Sequence, residues 1–181
     1  MHLVGHFRGG RIALRIAERH PHLLRKLVLA EPSGVLDKSL LPPGEKPAPY
    51  TDFIAAAAQD VGRGDIEGGL RRFAEYTGGP GAWERRPEAR KRIARDNAAT
   101  LLGQIGEGRK PYSRTEAEAI RVPTLLVNGR NTQPPFSRVL DAFERSIEGV
   151  RRITIPSAAH GMNWDNPDVF NAAVLDFLAA G

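Results

Sequence analysis

The sequence predicts an α/β fold: about four parallel strands with flanking helices and a helical insertion. Three observations predict it. Short apolar or alternating runs at 1–5, 26–31, 122–129 and 151–156 have the length and punctuation of strands. Amphipathic patterns at 9–20, 136–148 and 166–180 have the length and spacing of helices. Between the second and third runs, residues 51–120 offer no strand candidate.

Taken in order, residues 1–5 are apolar and end in Gly. The stretch Gly-Gly-Arg-Ile-Ala-Leu-Arg-Ile-Ala-Glu-Arg-His (9–20) repeats Ile12 and Ile16, and Ala13 and Ala17, at four-residue spacing with charges between. Pro21 ends that helix, because it lacks a donor and restricts the residue before it. Lys-Leu-Val-Leu-Ala-Glu (26–31) is the next strand, closed by Pro32, Ser33 and Gly34. Strand, helix, strand within some thirty residues is a minimal parallel crossover unit.

Residues 35–50 carry Pro42, Pro43, Pro47 and Pro49 and read as an excursion from the sheet. Helices are expected at about 51–62, 65–77 and 87–103, with Asp65 as an N-cap and Pro87 in a first turn. Val-Pro-Thr-Leu-Leu-Val-Asn-Gly (122–129) returns to strand. Helix 136–148 gathers Phe136, Val139, Leu140, Phe143 and Ile147 on one face. A last strand at 151–156 precedes a closing helix with Val169, Phe170, Ala173, Val174, Phe177 and Leu178 in one stripe. The expected organisation is a core of 1–34 and 121–181, with 35–120 as a helical lid or cap.

Composition bounds the chemistry. The 181 residues are 41% hydrophobic and 26% charged, an ordinary balance for one folded domain. No apolar run is long enough to span a bilayer, and no signal peptide is visible at the N-terminus. The absence of cysteine excludes disulfides, thiol nucleophiles and thiolate metal sites. A cytoplasmic location is the expectation. Lys+Arg 26 against Asp+Glu 21 gives +5. The densest basic run, Arg85, Arg86, Arg90, Lys91, Arg92 and Arg95, reads as the solvated side of a helix, for no aromatic interleaving or nucleic-acid motif accompanies it. No His/Asp/Glu cluster has metal-ligand spacing, so neither metal nor cofactor is expected.

The segment Leu3-Val4-Gly5-His6-Phe7-Arg8-Gly9-Gly10 lies at the first strand–helix turn. Such a tight turn strains its apex, and side chains two before and two after would collide. The segment resembles the nucleophile elbow of the α/β-hydrolase superfamily, Gly-x-Ser-x-Gly between strand and helix. Gly5 and Gly9 fill the glycine places, and His6 and Arg8 the x positions. The apex departs from the pattern: Phe7 stands where the family has Ser, Asp or Cys. A phenyl ring has no nucleophilic atom, so it cannot form an acyl-enzyme. The resemblance assigns the backbone N–H of Arg8 to the oxyanion hole.

A second match follows the last strand. Ile155-Pro156-Ser157-Ala158-Ala159-His160-Gly161-Met162 resembles the loop that carries the family's histidine base, and the chain order, elbow first and His last, agrees. His20 and His22 flank a helix end, and His2 and His6 are placed less well for that role. The acid is open. Asn131 stands at the commoner acid position after the strand 122–129, and an amide cannot stabilise an imidazolium as a carboxylate does. Some relatives take the acid from the strand after the elbow helix, which here gives Glu31; Asp165 is weaker, being close to His160 in sequence.

In the family the elbow follows the fifth of eight strands, and here it follows the first. The resemblance therefore implies a truncated α/β-hydrolase of about four strands, with the elbow strand left at an open edge. That edge implies a homodimer or a separately encoded N-terminal half as partner; neither nucleic acid nor membrane is expected. Leu36, Phe53, Phe73, Tyr76, Trp83 and Leu101 either line a pocket for an apolar small molecule or pack the insertion. Three functions stay open: an impaired hydrolase, an active ester or related C–X hydrolase whose Ser was replaced locally or by engineering, and a non-enzymatic binding module.

Overall fold

The computed structural model describes residues 1–46, 53–105 and 110–180. Pro47, Pro49 and the first two residues of the helix expected at 51–62 lie outside them. The chain falls into two compact units, residues 1–48 with 110–181, and residues 49–109.

The first unit is built on a parallel sheet in the order β1 (His2–His6), β2 (Lys26–Ala30), β3 (Thr124–Gly129), β4 (Arg151–Ile155). Residues along a strand alternate between faces, and β2 shows both faces buried. Leu27 and Leu29 join Leu126 in the core under α1 (Arg8–Arg19) and α6 (Pro134–Ser146). Val28 and Ala30 join Leu125 and Val127 in the core under α8 (Pro167–Ala179). All of β3 is buried. Among the described residues β1 pairs with β2 alone and forms one edge of the sheet.

Two short helices of this unit, α5 (Arg114–Glu118) and α7 (Met162–Asp165), are absent from the sequence expectation. Ser113 and Glu116 close a capping box on α5. Glu116 is also paired with Arg15 (2.9 Å) and Lys110. Burial opposes its charge, yet these partners outweigh burial and hold its carboxyl at about 2. An isolated parallel bridge joins Leu36 and Tyr112, so the flanks of the expected 35–120 insertion lie with the sheet unit.

The second unit holds α2 (Phe53–Gly62), α3 (Ile66–Gly78), α4 (Glu88–Asp96) and a 3₁₀ segment, Ala98–Gln104. The helix expected at 87–103 is thus two pieces, with Pro87 as cap rather than in the first turn. The break falls at Asn97, whose Nδ2 donates to the Ile93 carbonyl at 2.8 Å and whose backbone leaves the helical region. Trp83 and Leu101 are buried, and Phe53 stacks on Tyr76 with centroids 5.0 Å apart. Of the basic run, Arg90, Lys91, Arg92 and Arg95 lie on α4, which buries no residue, and Arg85 and Arg86 precede it. Arg86, Lys91 and Arg95 stand 5.5, 5.7 and 5.9 Å from the Trp83 ring. No described helix is long and apolar enough to cross a membrane.

Candidate active site

The carboxyl ends of parallel strands are where an open α/β sheet presents chemistry. Among the described residues, three that are not glycine have positive φ, and each follows a strand: Phe7 after β1 (φ 51°), Glu31 after β2 (φ 42°) and Ser157 after β4 (φ 55°). Such backbone costs about 1–3 kcal/mol per residue and collects at functional sites. Phe7 and Glu31 are held by neighbouring strands. Phe7 N–H donates to Ala30 O at 3.1 Å, Glu31 N–H to Val127 O at 3.2 Å, and Ser33 N–H to Phe7 O at 2.9 Å.

Phe7 is the apex between β1 and α1. A Cβ on Gly5 would meet Gly9 O at 2.6 Å, Gly10 Cα at 2.7 Å and Ala13 Cβ at 2.8 Å. A Cβ on Gly9 would meet nothing within 4 Å. The collision expected at both glycines is therefore real at Gly5 and absent at Gly9. The crowded partner is Gly10, where an added Cβ would meet Pro32 Cα at 3.0 Å. Arg8 follows the apex and opens α1.

Glu31 and His160 meet although they are distant in sequence. Glu31 is fully buried, and its Oε2 lies 2.6 Å from His160 Nδ1. Its Oε1 accepts from the Gly129 N–H at 2.9 Å and from the Thr132 hydroxyl. A carboxylate accepts only, so Glu31 Oε2 takes its bond from an Nδ1–H of the imidazole, and the neutral tautomer with that proton carries its lone pair on Nε2. Gly129 is needed at this crossing, because a Cβ there would come within 2.4 Å of the carbonyl oxygens of Ala158 and Ala159. The loop before His160 is further tied to the end of β3: Arg130 N–H donates to Ile155 O and Asn131 N–H to Ala158 O, both at 2.9 Å.

Asn131 is exposed and does not take part through its side chain in the contact with His160; its contribution is that backbone bond. Asp165 accepts from the Ala159 N–H at 3.1 Å and supports the loop.

The His160 imidazole is walled by rings. Phe136 of α6 stacks on it with centroids 4.1 Å apart and 19° between planes. Phe7 meets it edge-on at 5.0 Å. His6 lies tilted against it at 4.6 Å and donates from Nε2 to the His160 carbonyl at 2.9 Å. Burial and the neighbouring His160 push the His6 ring down to about 4, so at neutral pH it is an uncharged donor. No local sequence signal marks Phe136 or Thr132 as site residues, and His6 is placed less well than His160 in the sequence. Phe136 carried only a core-face signal. Among the described residues no three His, Asp or Glu side chains converge as a metal site would require.

A strained apex between a parallel strand and its crossover helix, served by a histidine from the loop after the last strand, is the arrangement of an α/β-hydrolase domain. The chain belongs to that family: residues 1–167 match the alpha/beta hydrolase fold. It is 28% identical to the (lyso)-N-acylphosphatidylethanolamine lipase of Mus musculus, over 96% of this chain and 57% of that protein. It is 27% identical to the Mus musculus sn-1-specific diacylglycerol lipase ABHD11, over 98% of this chain and 58% of that protein. Among solved structures, a hydrolase from Pseudomonas aeruginosa PA01 superposes with a TM-score of 0.77 at 26% identity, covering 99% of this chain and 64% of that one. The chain thus spans less than two thirds of the length of these relatives.

Proposed function

We propose that this chain is an α/β-hydrolase impaired at the nucleophile, with the acid–base half of an ester-cleaving site still in place. One observation carries the reading: the apex residue is Phe7, and its ring stands against His160 where an attacking hydroxyl would receive help. In the intact machinery, Nε2 of the histidine takes the hydroxyl proton as oxygen attacks an ester carbonyl. The carboxylate holds the imidazole and stabilises its charge, and backbone N–H groups bind the oxyanion. Glu31, His160 and the Arg8 N–H have these roles in the proposal. Phe7 supplies nothing to attack with, and loss of a triad nucleophile removes on the order of 10⁶ in turnover. The relatives, two lipases and a hydrolase, support a carboxylic ester as the substrate class.

The test compares hydrolysis of a short-chain activated ester by the unmodified chain, by Phe7→Ser and by His160→Ala. The unmodified chain is expected to match His160→Ala. Phe7→Ser is expected to exceed both by on the order of 10³-fold or more, and to lose the gain in Phe7→Ser/His160→Ala. Turnover by the unmodified chain above His160→Ala would overturn impairment. It would favour an active enzyme, a reading to which the 2.6 Å Glu31–His160 contact also lends itself. A third reading, a binding module, draws support from the open edge of β1. It predicts no gain in Phe7→Ser.

A further inference from the structure

We propose that His6 is a positioning residue for His160: it clamps the backbone of the loop that presents His160, so that the bond to Glu31 keeps one geometry. The proposal rests on the reading of Glu31 and His160 as a surviving acid–base pair and adds a residue to that pair.

The geometry begins with what fixes an imidazole. Glu31 holds Nδ1 at 2.6 Å, but a ring held at one nitrogen can still swing about that bond. Phe136 and Phe7 are apolar walls; they limit tilt and offer no hydrogen bond to the ring. The loop is tied at Ala158 and Ala159, and the remaining freedom is movement of the His160 backbone that follows them. The His6 Nε2–H bond to the His160 carbonyl, 2.9 Å long, acts on that freedom, because it fixes the backbone from which the ring hangs. The acceptor is a carbonyl, so the proton of neutral His6 sits on Nε2.

The two anchors come from adjacent strands in fixed register. His6 ends β1 and pairs with Ala30, the residue before Glu31. The loop after β4, at one edge of the sheet, is thereby clamped to the ends of the two strands farthest from it. The neutrality of His6 fits this task. A cation beside His160 would oppose protonation of the imidazole, whereas an uncharged donor holds the loop without that penalty.

The experiment uses the unmodified chain and proton NMR. An Nδ1–H in a short bond to a carboxylate resonates far downfield of the amides. One such signal is expected, absent from Glu31→Gln and from His160→Gln. His6→Gln, whose amide Nε2–H reaches for the same carbonyl, is expected to keep it. His6→Phe keeps a ring and loses the donor, and the signal is expected to broaden or to exchange with solvent roughly tenfold faster. A folded His6→Phe with unchanged signal and exchange overturns the clamp. Should near-ultraviolet circular dichroism show His6→Phe unfolded, a folded His6→Gln decides, and loss of its signal overturns the clamp. Absence of the signal from the unmodified chain overturns the acid–base pair itself, a separate failure.

Discussion

Gly5 and Gly9 flank the apex symmetrically in sequence and asymmetrically in space. At Gly5, backbone of the following helix leaves no room for a methyl group, the nearest atom being 2.6 Å from an added Cβ. Backbone cannot be moved aside as a flexible side chain can, so Gly5→Ala is expected to cost at least about 2 kcal/mol. Gly9 lies within α1 and faces open space, so Gly9→Ala is expected to stabilise by about 0.5 kcal/mol through lower unfolded-state entropy. Urea denaturation of the two variants measures both, and equal effects would refute the assignment of crowding to Gly5 alone. The same residue scale explains the apex. Phe7 keeps the strained backbone of an elbow although its side chain has no use for it, because Ala30 and Ser33 hold its N–H and carbonyl whatever the side chain.

At the scale of elements, spacing finds helices more easily than it finds their buried faces. In α1 the repeats Ile12/Ile16 and Ala13/Ala17 gave two candidate stripes, and the buried one is Gly10, Ala13, Leu14 and Ala17. Ile12 is 54% exposed. Where the start of α1 approaches Gly5 and Pro32 the close contacts fall on Gly10 and Ala13, which are small, and the larger Leu14 is buried beside them. The buried face of α6 was legible, because Phe136, Val139, Leu140 and Phe143 are all large and all buried, though the helix runs two residues earlier than 136–148 and leaves Ile147 as its C-cap. The strands and the histidine loop were legible for a like reason: their signals are local. The ring box was not, since Phe136, Phe7 and His6 converge from three elements and no local spacing records that meeting. The split of 87–103 turns on a side chain of Asn97 that competes with its own helix. Asp65 is the clearest local signal in the second unit. It accepts from the Gly68 N–H at 2.9 Å and caps α3. Asp65→Ala is expected to destabilise by about 1 kcal/mol, with amide exchange accelerated first in the opening turn of α3. Unchanged exchange in that turn would show the cap to be idle.

At the scale of the whole molecule, the sheet is asymmetric. β2 and β3 are paired on both sides and buried, while β1, which carries the apex, is paired on one side. Along β1, Val4 stands in register with Val28. Val28 is fully buried under α8, and Val4 is 45% exposed, so the apolar core thins out before it reaches the edge strand. A strand with free backbone groups on one side and an apolar residue at its centre is a template for further pairing. The relatives are longer than this chain by more than a third of their own length, which leaves room for such a partner. Self-association through β1 is therefore expected, read by size-exclusion chromatography with light scattering as a mass above that of one chain. Val4→Lys places a charge at the middle of the edge and is expected to shift the population to monomer. It should lower stability by less than about 1 kcal/mol, because Val4 buries little in the monomer. An unmodified chain that elutes as a monodisperse monomer would show that the edge protects itself. Association that survives Val4→Lys would place the contact elsewhere.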